Sequence, residues 1–204
     1  MLAVLSETLF FAVNASADPD VLTVMLVGLA LPWLVYAPVI LMPALWIWGR
    51  HDTRSALLAT VVGVSAALGI NLLLGLLWYE PRPFMISLGH TLSFHAAENW
   101  FPSDHATFLW SLGLAPIATG AARLWGAMVC LSGLFVTCAR VYLGLHFSID
   151  VAASFLVALA AGGVAFAVLP ASDRRRHLVV HHTHQATLRS LRVPGALFPR
   201  GPER

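Results

Sequence analysis

The sequence predicts an all-α integral membrane protein, a bundle of about five transmembrane helices preceded by a short N-terminal interfacial helix. Three observations predict this fold. Hydrophobic residues make up 58% of the 204 residues and charged residues only 11%, with a mean hydropathy of +0.78, whereas soluble domains carry about 25% charged residues. Long apolar stretches recur along the chain. The cations are all arginines, and they are distributed unevenly between the connections.

The apolar stretches mark the predicted spans. A helix that crosses the hydrocarbon core needs about 20 mainly apolar residues. Five stretches meet or approach that length, roughly residues 21–48, 55–77, 105–122, 124–143 and 147–169. Prolines in the first stretch are tolerated where neighbouring helices satisfy the backbone groups that they leave free. We therefore expect one transmembrane domain over residues 21–170, without a soluble module.

The two ends of the chain differ from this domain. Residues 1–20 lack the basic region and cleavage site of a signal peptide, and apolar residues recur there at helical spacing, which predicts a short interfacial helix. Residues 171–204 are rich in Arg, His and Pro and are predicted to form a poorly ordered cytoplasmic tail. Its histidines are either solvated or ligands for a metal; they are His177, His181, His182 and His184.

The arginines predict the orientation of the bundle. If the spans alternate, Arg50, Arg54, Arg123 and the tail fall on one side, which the positive-inside rule makes cytoplasmic. The opposite side receives only Arg82 and Arg140. Because arginines on that side run against the topological preference, we expect them to be functional.

Two polar clusters lie on the side that carries Arg82. Prolines flank Arg82 and hold the backbone extended, and a guanidinium offers a fork of donors suited to phosphate oxygens. The second cluster, Phe101-Pro102-Ser103-Asp104-His105, begins the third span, where the free N–H groups of a helix start can bind an anion. Taken alone, an interfacial turn, ordinary capping by Ser103 and an interfacial His105 explain these residues equally well.

The third cluster consists of Arg140, His146 and Asp150 in the spacing R-x5-H-x3-D. His146 and Asp150 share one helical face, and a carboxylate on one ring nitrogen leaves the other nitrogen as a positioned nucleophile or base. Gly144 allows the chain to turn back, so that Arg140 can reach the same pocket. An intramembrane ion pair could explain Asp150 in isolation, but it does not explain three clusters at one membrane face. Together they predict phosphate chemistry at the membrane surface.

The three clusters resemble the signature motifs of the type 2 phosphatidic acid phosphatase (PAP2) superfamily, over roughly residues 71–155. Within it, Phe-Pro-Ser-Asp-His-Ala-Thr and Ala-Arg-Val-Tyr-Leu-Gly-Leu-His resemble bacterial undecaprenyl-diphosphate phosphatases, in which Asp replaces the commoner Gly of the second motif. The resemblance implies a bacterial lipid hydrolase, and the distribution of the arginines predicts that it lies in the inner membrane with its site facing the periplasm or the cell exterior. Its substrate would be undecaprenyl diphosphate, and its role the recycling of the cell-wall carrier lipid.

The resemblance also implies residue roles. His146 would attack phosphorus to form a phosphohistidine, and Asp150 would orient it. His105 would protonate the leaving group and then activate water. The phosphate oxygens would be held by Arg82, Ser103, the amide of Asp104 and Arg140. This scheme needs no metal and no other cofactor, and its partners are the bilayer and a phosphorylated lipid, not a nucleic acid.

One departure from the family leaves alternatives open. The first motif begins with a lysine seven residues before the arginine, and here that position is Gly75 in a chain without any lysine. A catalytically impaired homologue that binds headgroups or transports lipid therefore remains an alternative. So do phosphatidic acid, phosphatidylglycerol phosphate and lipid A as substrates. The loop over residues 84–100 could contact a headgroup through His90, His95 and Glu98.

Overall fold

The computed structural model describes residues 2–93, 101–168 and 173–191. These residues fold into helices and connecting turns, without a strand in the ranges just given, and the predicted all-α class is confirmed. A short 3₁₀ turn, Pro83–Ile86, follows the third helix. The α-helices are α1 (Leu2–Val13), α2 (Val21–Trp48), α3 (His51–Leu77), α4 (Asp104–Thr119), α5 (Arg123–Tyr142), α6 (Ser148–Val168) and α7 (Asp173–Ser190).

Four of the helices, α2, α3, α5 and α6, are long and apolar enough to cross a membrane. The third predicted span is shorter than expected, because α4 has 16 residues and ends at Gly120 in the left-handed region, with φ +79°. At a rise of about 1.5 Å per residue it is about 24 Å long, less than the hydrocarbon thickness of about 30 Å. It packs between α3, α5 and α6, with Leu109 and Leu112 buried. The helix is the centre of the bundle.

Glycines bring α4 and α5 into backbone contact. A Cβ atom at Gly113 would lie 2.7 Å from the carbonyl oxygen of Gly126, and one at Gly126 would lie 2.6 Å from that of Gly113. Small residues of this kind let two helices in a membrane approach closely and gain van der Waals contact. This contact fixes the position of α5 against α4, the two helices that carry Arg140 and Ser103 at the same end of the bundle.

The prediction of a poorly ordered tail is wrong for residues 173–190, which form α7. This helix packs on α2 and α3 and buries Val180, His184 and Leu188. The indole Nε1 of Trp46 donates to Thr187 Oγ1 at 3.2 Å. The buried residues recur every four positions, a helical spacing that the arginines and histidines around them obscured. Residues 192–204 lie outside the described residues.

Docking of α7 is expected to depend on pH through His184. Burial, followed by the positive charge of Arg54, lowers the pKa of this imidazole. The docked helix therefore binds fewer protons than a free one between the lowered pKa and the ordinary value of about 6.5. The stabilisation is complete above about 6.5 and is lost as the pH falls below it. After correction for intrinsic rates, the backbone amides of α7 should exchange their hydrogens faster at pH 5.5 than at pH 7.5.

His184→Leu should make this exchange less sensitive to pH, because leucine keeps the apolar contact with Trp46 and cannot be protonated. His182→Ala is the matched control, since His182 is exposed on the same helix. Equal protection of α7 at both pH values in the unmodified protein would show that His184 does not control the docking.

Candidate active site

The predicted site residues lie where α3 and α5 end and α4 and α6 begin, which is one end of the bundle. Five of them are buried there, each at most 9% exposed: Arg82, Ser103, Arg140, His146 and Asp150. Charged side chains inside a membrane protein are costly and mark functional sites. The helix ends thus assemble three stretches that are far apart in sequence into one polar cluster.

A carboxylate orients the ring of His146. Asp150 Oδ2 lies 3.1 Å from His146 Nδ1 and also accepts a 3.1 Å hydrogen bond from the backbone N–H of Phe147. An ionised carboxylate only accepts, so the proton of the neutral ring belongs on Nδ1. The lone pair is then on Nε2. Asp150 stands in the first turn of α6, which fixes its position relative to the preceding loop.

Two donors surround the lone pair of His146. Arg82 Nη1 lies 2.6 Å from Nε2 and 2.9 Å from Nδ1, and it donates to the carbonyl of Leu145 at 3.1 Å. Ser103 Oγ lies 3.3 Å from the same Nε2. Ser103 occupies the predicted N-cap position of α4, but its hydroxyl makes no capping bond to that helix. A guanidinium and a hydroxyl therefore converge on the one ring nitrogen that can act as a nucleophile.

Arg140 adds a second guanidinium. It interacts electrostatically with Arg82 and Asp104, and its Nε has no hydrogen-bond acceptor among the described residues. A buried donor left without an acceptor costs about 1–3 kcal/mol. An anionic group bound in the site would supply the acceptor, and its charge would offset the repulsion between the two guanidiniums.

The predicted turn at Gly144 is present and brings Arg140 and His146 to the same site. Gly144 has φ +76°, the left-handed conformation that commonly ends a helix. A Cβ atom there would overlap the carbonyl of His90. Across the turn, the N–H of Leu145 donates to the carbonyl of Arg140 at 2.9 Å.

Asp104 belongs to a network that sequence reasoning missed. Its carboxylate accepts from Asn71 Nδ2 at 2.7 Å, and the same amide donates to Thr107 Oγ1 at 3.1 Å. Asn71 is 4% exposed within apolar α3. A lone amide in a transmembrane span was the available signal, since polar groups there need partners. Ser154, also missed, donates to the carbonyls of Asp150 and Ser103 at 2.7 and 3.1 Å and joins α6 to α4.

Asn71→Leu is expected to lower kcat/KM by about 10-fold or more. The substitution keeps a similar volume but removes the bond to a carboxylate, and bonds to charged groups contribute about 1.5–3 kcal/mol. Thr60→Val is the matched control, since Thr60 is equally buried in α3 and its hydroxyl donates only within the helix, to Ala56. Steady-state phosphate release measures both variants. Equal rates would mean that Asn71 stabilises α3 without aligning the site.

His105 lies at the edge of the cluster, not inside it. It is exposed and lines an open cavity of about 370 Å³ between α2, α3 and α4. Asp104 and His105 form the polar end of this cavity, and the rest of its lining is apolar: Val35, Leu68, Leu72 and Phe108. A phosphate at the polar end could thus carry an apolar chain along the remaining walls.

The other predicted contacts are less informative. His90 is exposed in the loop that follows the 3₁₀ turn, whereas His95 and Glu98 lie outside the described residues. Gly75 stands in the last turn of α3 and lines a second cavity of about 180 Å³, together with Asp104. Among the described residues, a Cβ atom at Gly75 would meet the carbonyl of Phe101 at 3.7 Å, an ordinary van der Waals contact. A side chain at the lysine position of the motif would therefore enter the cavity that Asp104 also lines.

A sequence model of the PAP2 superfamily matches residues 55–174. This range contains every predicted site residue and, apart from Val35, every residue that lines the two cavities. The chain belongs to the PAP2 superfamily. The resemblance drawn from the motifs is confirmed, and the protein is a multi-pass membrane protein of this phosphatase class.

Two curated PAP2 relatives cover most of the chain. The Escherichia coli (strain K12) protein "Putative undecaprenyl-diphosphatase YbjG" is 29% identical over 160 residues, which is 78% of this chain and 80% of that protein. Undecaprenyl-diphosphatase BcrC of Bacillus subtilis (strain 168) is 32% identical over 134 residues, 66% of this chain and 68% of BcrC. Among solved structures, the crystal structure of Aquifex aeolicus LpxE matches with a TM-score of 0.63 at 19% identity, over 78% of this chain and 93% of LpxE. This last likeness concerns the fold alone.

Proposed function

We propose that the protein hydrolyses undecaprenyl diphosphate to undecaprenyl phosphate and inorganic phosphate, and so recycles the carrier lipid of cell-wall synthesis. The observation that carries the proposal is His146 Nε2, held by Asp150 through the other ring nitrogen and flanked by Arg82 and Ser103. Two relatives named for this activity support the choice of substrate.

In the first step, Nε2 of His146 attacks the terminal phosphorus of the diphosphate. The Nε2–P bond forms as the bond from phosphorus to the bridging oxygen breaks, and His105 donates a proton to the departing lipid phosphate. Asp150 stabilises the positive charge that develops on the ring. The N–H of Arg82 that points at Nε2 then donates its hydrogen bond to a phosphate oxygen instead. Donors aimed at charge that develops in the transition state are the largest contribution to such catalysis.

Arg140, Ser103 and the backbone N–H of Asp104 complete the set of donors. The N–H lies in the first turn of α4, where the helix dipole favours an anion. In the second step, a water molecule gives a proton to His105 and attacks the phosphohistidine. The N–P bond breaks, phosphate leaves, and His146 regains its lone pair.

The open cavity between α2, α3 and α4 is where the lipid portion fits. Its apolar side chains begin beside His105, the proposed donor to the leaving group. Leu72 is 59% exposed on the outer surface of α3, so a chain bound there remains continuous with the bilayer. The leaving lipid phosphate and its proton donor then lie at the same mouth of the site.

The orientation of the site is part of the proposal. Arg50 lies in the turn between α2 and α3, and Arg54 lies in the first turn of α3. These two helices contact α7 at the end of the bundle away from His146, where the rings of His51 and His177 stack. The positive-inside rule assigns that end to the cytoplasm. The site then faces the periplasm or cell exterior from the inner membrane. In a variant without the native cysteines, a cysteine at residue 92 should be labelled from outside the cell and one at residue 52 should not.

The deciding experiment measures phosphate release by purified protein in detergent with a chelator present. Undecaprenyl diphosphate is compared with phosphatidic acid and phosphatidylglycerol phosphate. Highest kcat/KM on the diphosphate supports the proposal, and preference for a glycerolipid would keep the reaction but replace the substrate. No release from any of the three would reject a phosphatase and favour a headgroup-binding protein. In that case Gly75→Lys, tested beside the unmodified protein, shows whether the missing lysine is the reason that no phosphate is released.

A further inference from the structure

Helix α1 packs directly behind the loop that carries His146, although it lies outside the residues that match the superfamily. Phe10 of α1 is fully buried and packs against Val141 and Phe147, with its ring centroid 5.4 Å from that of Phe147. Those two residues flank the loop over residues 142–146. The support for the proposed nucleophile thus includes a segment that carries none of the three motifs.

Asn14 follows α1 and joins three segments of the chain. Its Nδ2 donates to the carbonyls of His90 at 2.9 Å and Tyr142 at 3.1 Å, and its Oδ1 accepts from the N–H of His90 at 2.8 Å. The next residue, Ala15, donates its N–H to the same Tyr142 carbonyl at 3.1 Å. The last carbonyls of a helix have no partner within it. Asn14 therefore supplies the donor for the last carbonyl of α5, at the start of the loop over residues 142–146, which we call the catalytic loop.

The three segments approach so closely that two glycines are required. Gly89 has φ +70°, and a Cβ atom there would lie 2.5 Å from Asn14 Oδ1 and 2.6 Å from the ring of Phe10. Gly144 faces the His90 carbonyl in the same way. The N–H of Leu92 also donates to the Leu143 carbonyl at 3.1 Å. The loop with His90 is thus held between Asn14 and the catalytic loop, and the three have one mutual arrangement.

We propose that Asn14 is a positioning residue for the phosphatase reaction, acting through the backbone at Tyr142 and His90 to hold Arg140 and His146 in register. The inference rests on the proposed function. The hydrogen bonds that Asn14 makes to His90 and Tyr142 are to backbone groups and not to side chains of the site. Its amide fixes where α5 ends, and the distance between Arg140 and His146 depends on that end. A shift of about 1 Å in such a loop can cost 100-fold in rate.

The test compares Asn14→Asp and Asn14→Ala with Ser16→Ala in the full-length protein. Asp keeps the size and the acceptor of Asn14 but loses both N–H groups. Ser16 is exposed in the same segment, and its hydroxyl donates only to the Asp18 carbonyl. Both Asn14 variants should lose about 10- to 100-fold in kcat with KM within twofold, while Ser16→Ala stays unchanged.

The inhibition constant of orthovanadate separates a positioning role from a merely structural one, because a structural role would leave this constant unchanged. Vanadate resembles the phosphoryl group in its transition state, and transition-state analogues follow kcat. The inhibition constant of vanadate should rise by the same factor by which kcat falls, whereas the inhibition constant of inorganic phosphate should change less than threefold. A wild-type protein without turnover and without vanadate binding would reject the proposed function instead. The two failures are therefore distinguishable.

Gly89→Ala provides an independent disturbance of the same contact from the opposite side, and it should give the same pattern of kcat, KM and vanadate inhibition. The proposal is overturned if kcat stays within twofold in the Asn14 variants, or if KM alone rises. It is also overturned if the two Asn14 variants and Gly89→Ala all fail to fold in detergent, since Asn14 would then serve stability alone.

Discussion

Replacing His146 with alanine is expected to abolish phosphate release, with a fall in kcat of at least about 10⁴-fold, as for other enzymes that lose a nucleophile. The reason is the position of Nε2, the lone-pair nitrogen that Asp150 orients and that Arg82 and Ser103 flank. The measurement is phosphate release at saturating lipid. The protein is also tested for phosphohistidine after the reaction has been stopped without acid. The variant should show neither.

His182→Ala is the control for this experiment. It removes an exposed histidine of α7, at the other end of the bundle, and should leave the rate unchanged. Residual release within 100-fold of the wild type would show that water attacks phosphorus directly, and the covalent step would have to be abandoned.

Asp150→Asn is expected to lower kcat by about 10³- to 10⁴-fold, the range set by amide replacement of the orienting carboxylate in a catalytic triad. One oxygen of Asp150, Oδ2, faces His146 Nδ1 and also accepts from the N–H of Phe147. An amide oxygen in that position keeps both bonds but carries no negative charge, so the positive charge that develops on the ring is no longer stabilised. An NH₂ group in that position would donate to Nδ1 and move the ring proton to Nε2, which removes the nucleophilic lone pair.

The matched control is Asp52→Asn, because Asp52 is exposed at the start of α3 and lies 3.7 Å from His51 Nδ1. It should retain the wild-type rate. Nitrogen-15 NMR of labelled histidine can report the tautomer in the Asp150 variant. A ring proton on Nδ1 would identify loss of the negative charge as the cause, and a rate reduced by less than 10-fold would contradict the role of Asp150.

Hydropathy and motif spacing were sufficient to predict the helical class and the residues that meet at the site. The apolar stretches are long, and His146 and Asp150 lie four residues apart at the start of a helix, so local geometry alone makes them neighbours. The meeting of Arg82 with His146 is a long-range contact, which the shared membrane face and the family resemblance indicated without giving its geometry.

The supporting contacts could not be predicted in this way. Asn14 donates to backbone carbonyls, which no side-chain pattern records, and Asn71 gave one amide in an apolar span as its only signal. The shortness of α4 follows from Gly120, a turn residue within a stretch that hydropathy extends to residue 122. For α7, buried Val180 and Leu188 were hidden among arginines and histidines, because composition averages over a helix face.

The bond between Arg82 and His146 has a consequence for the interval between turnovers. A buried guanidinium beside a bare imidazole would leave a donor and an acceptor unsatisfied each time phosphate departs, a cost of about 1–3 kcal/mol for each group. Here the two satisfy one another. Binding of a phosphate exchanges one partner of Arg82 for another, so we expect Arg82 to add little to the affinity for free phosphate. This guanidinium would then not slow the release of the product.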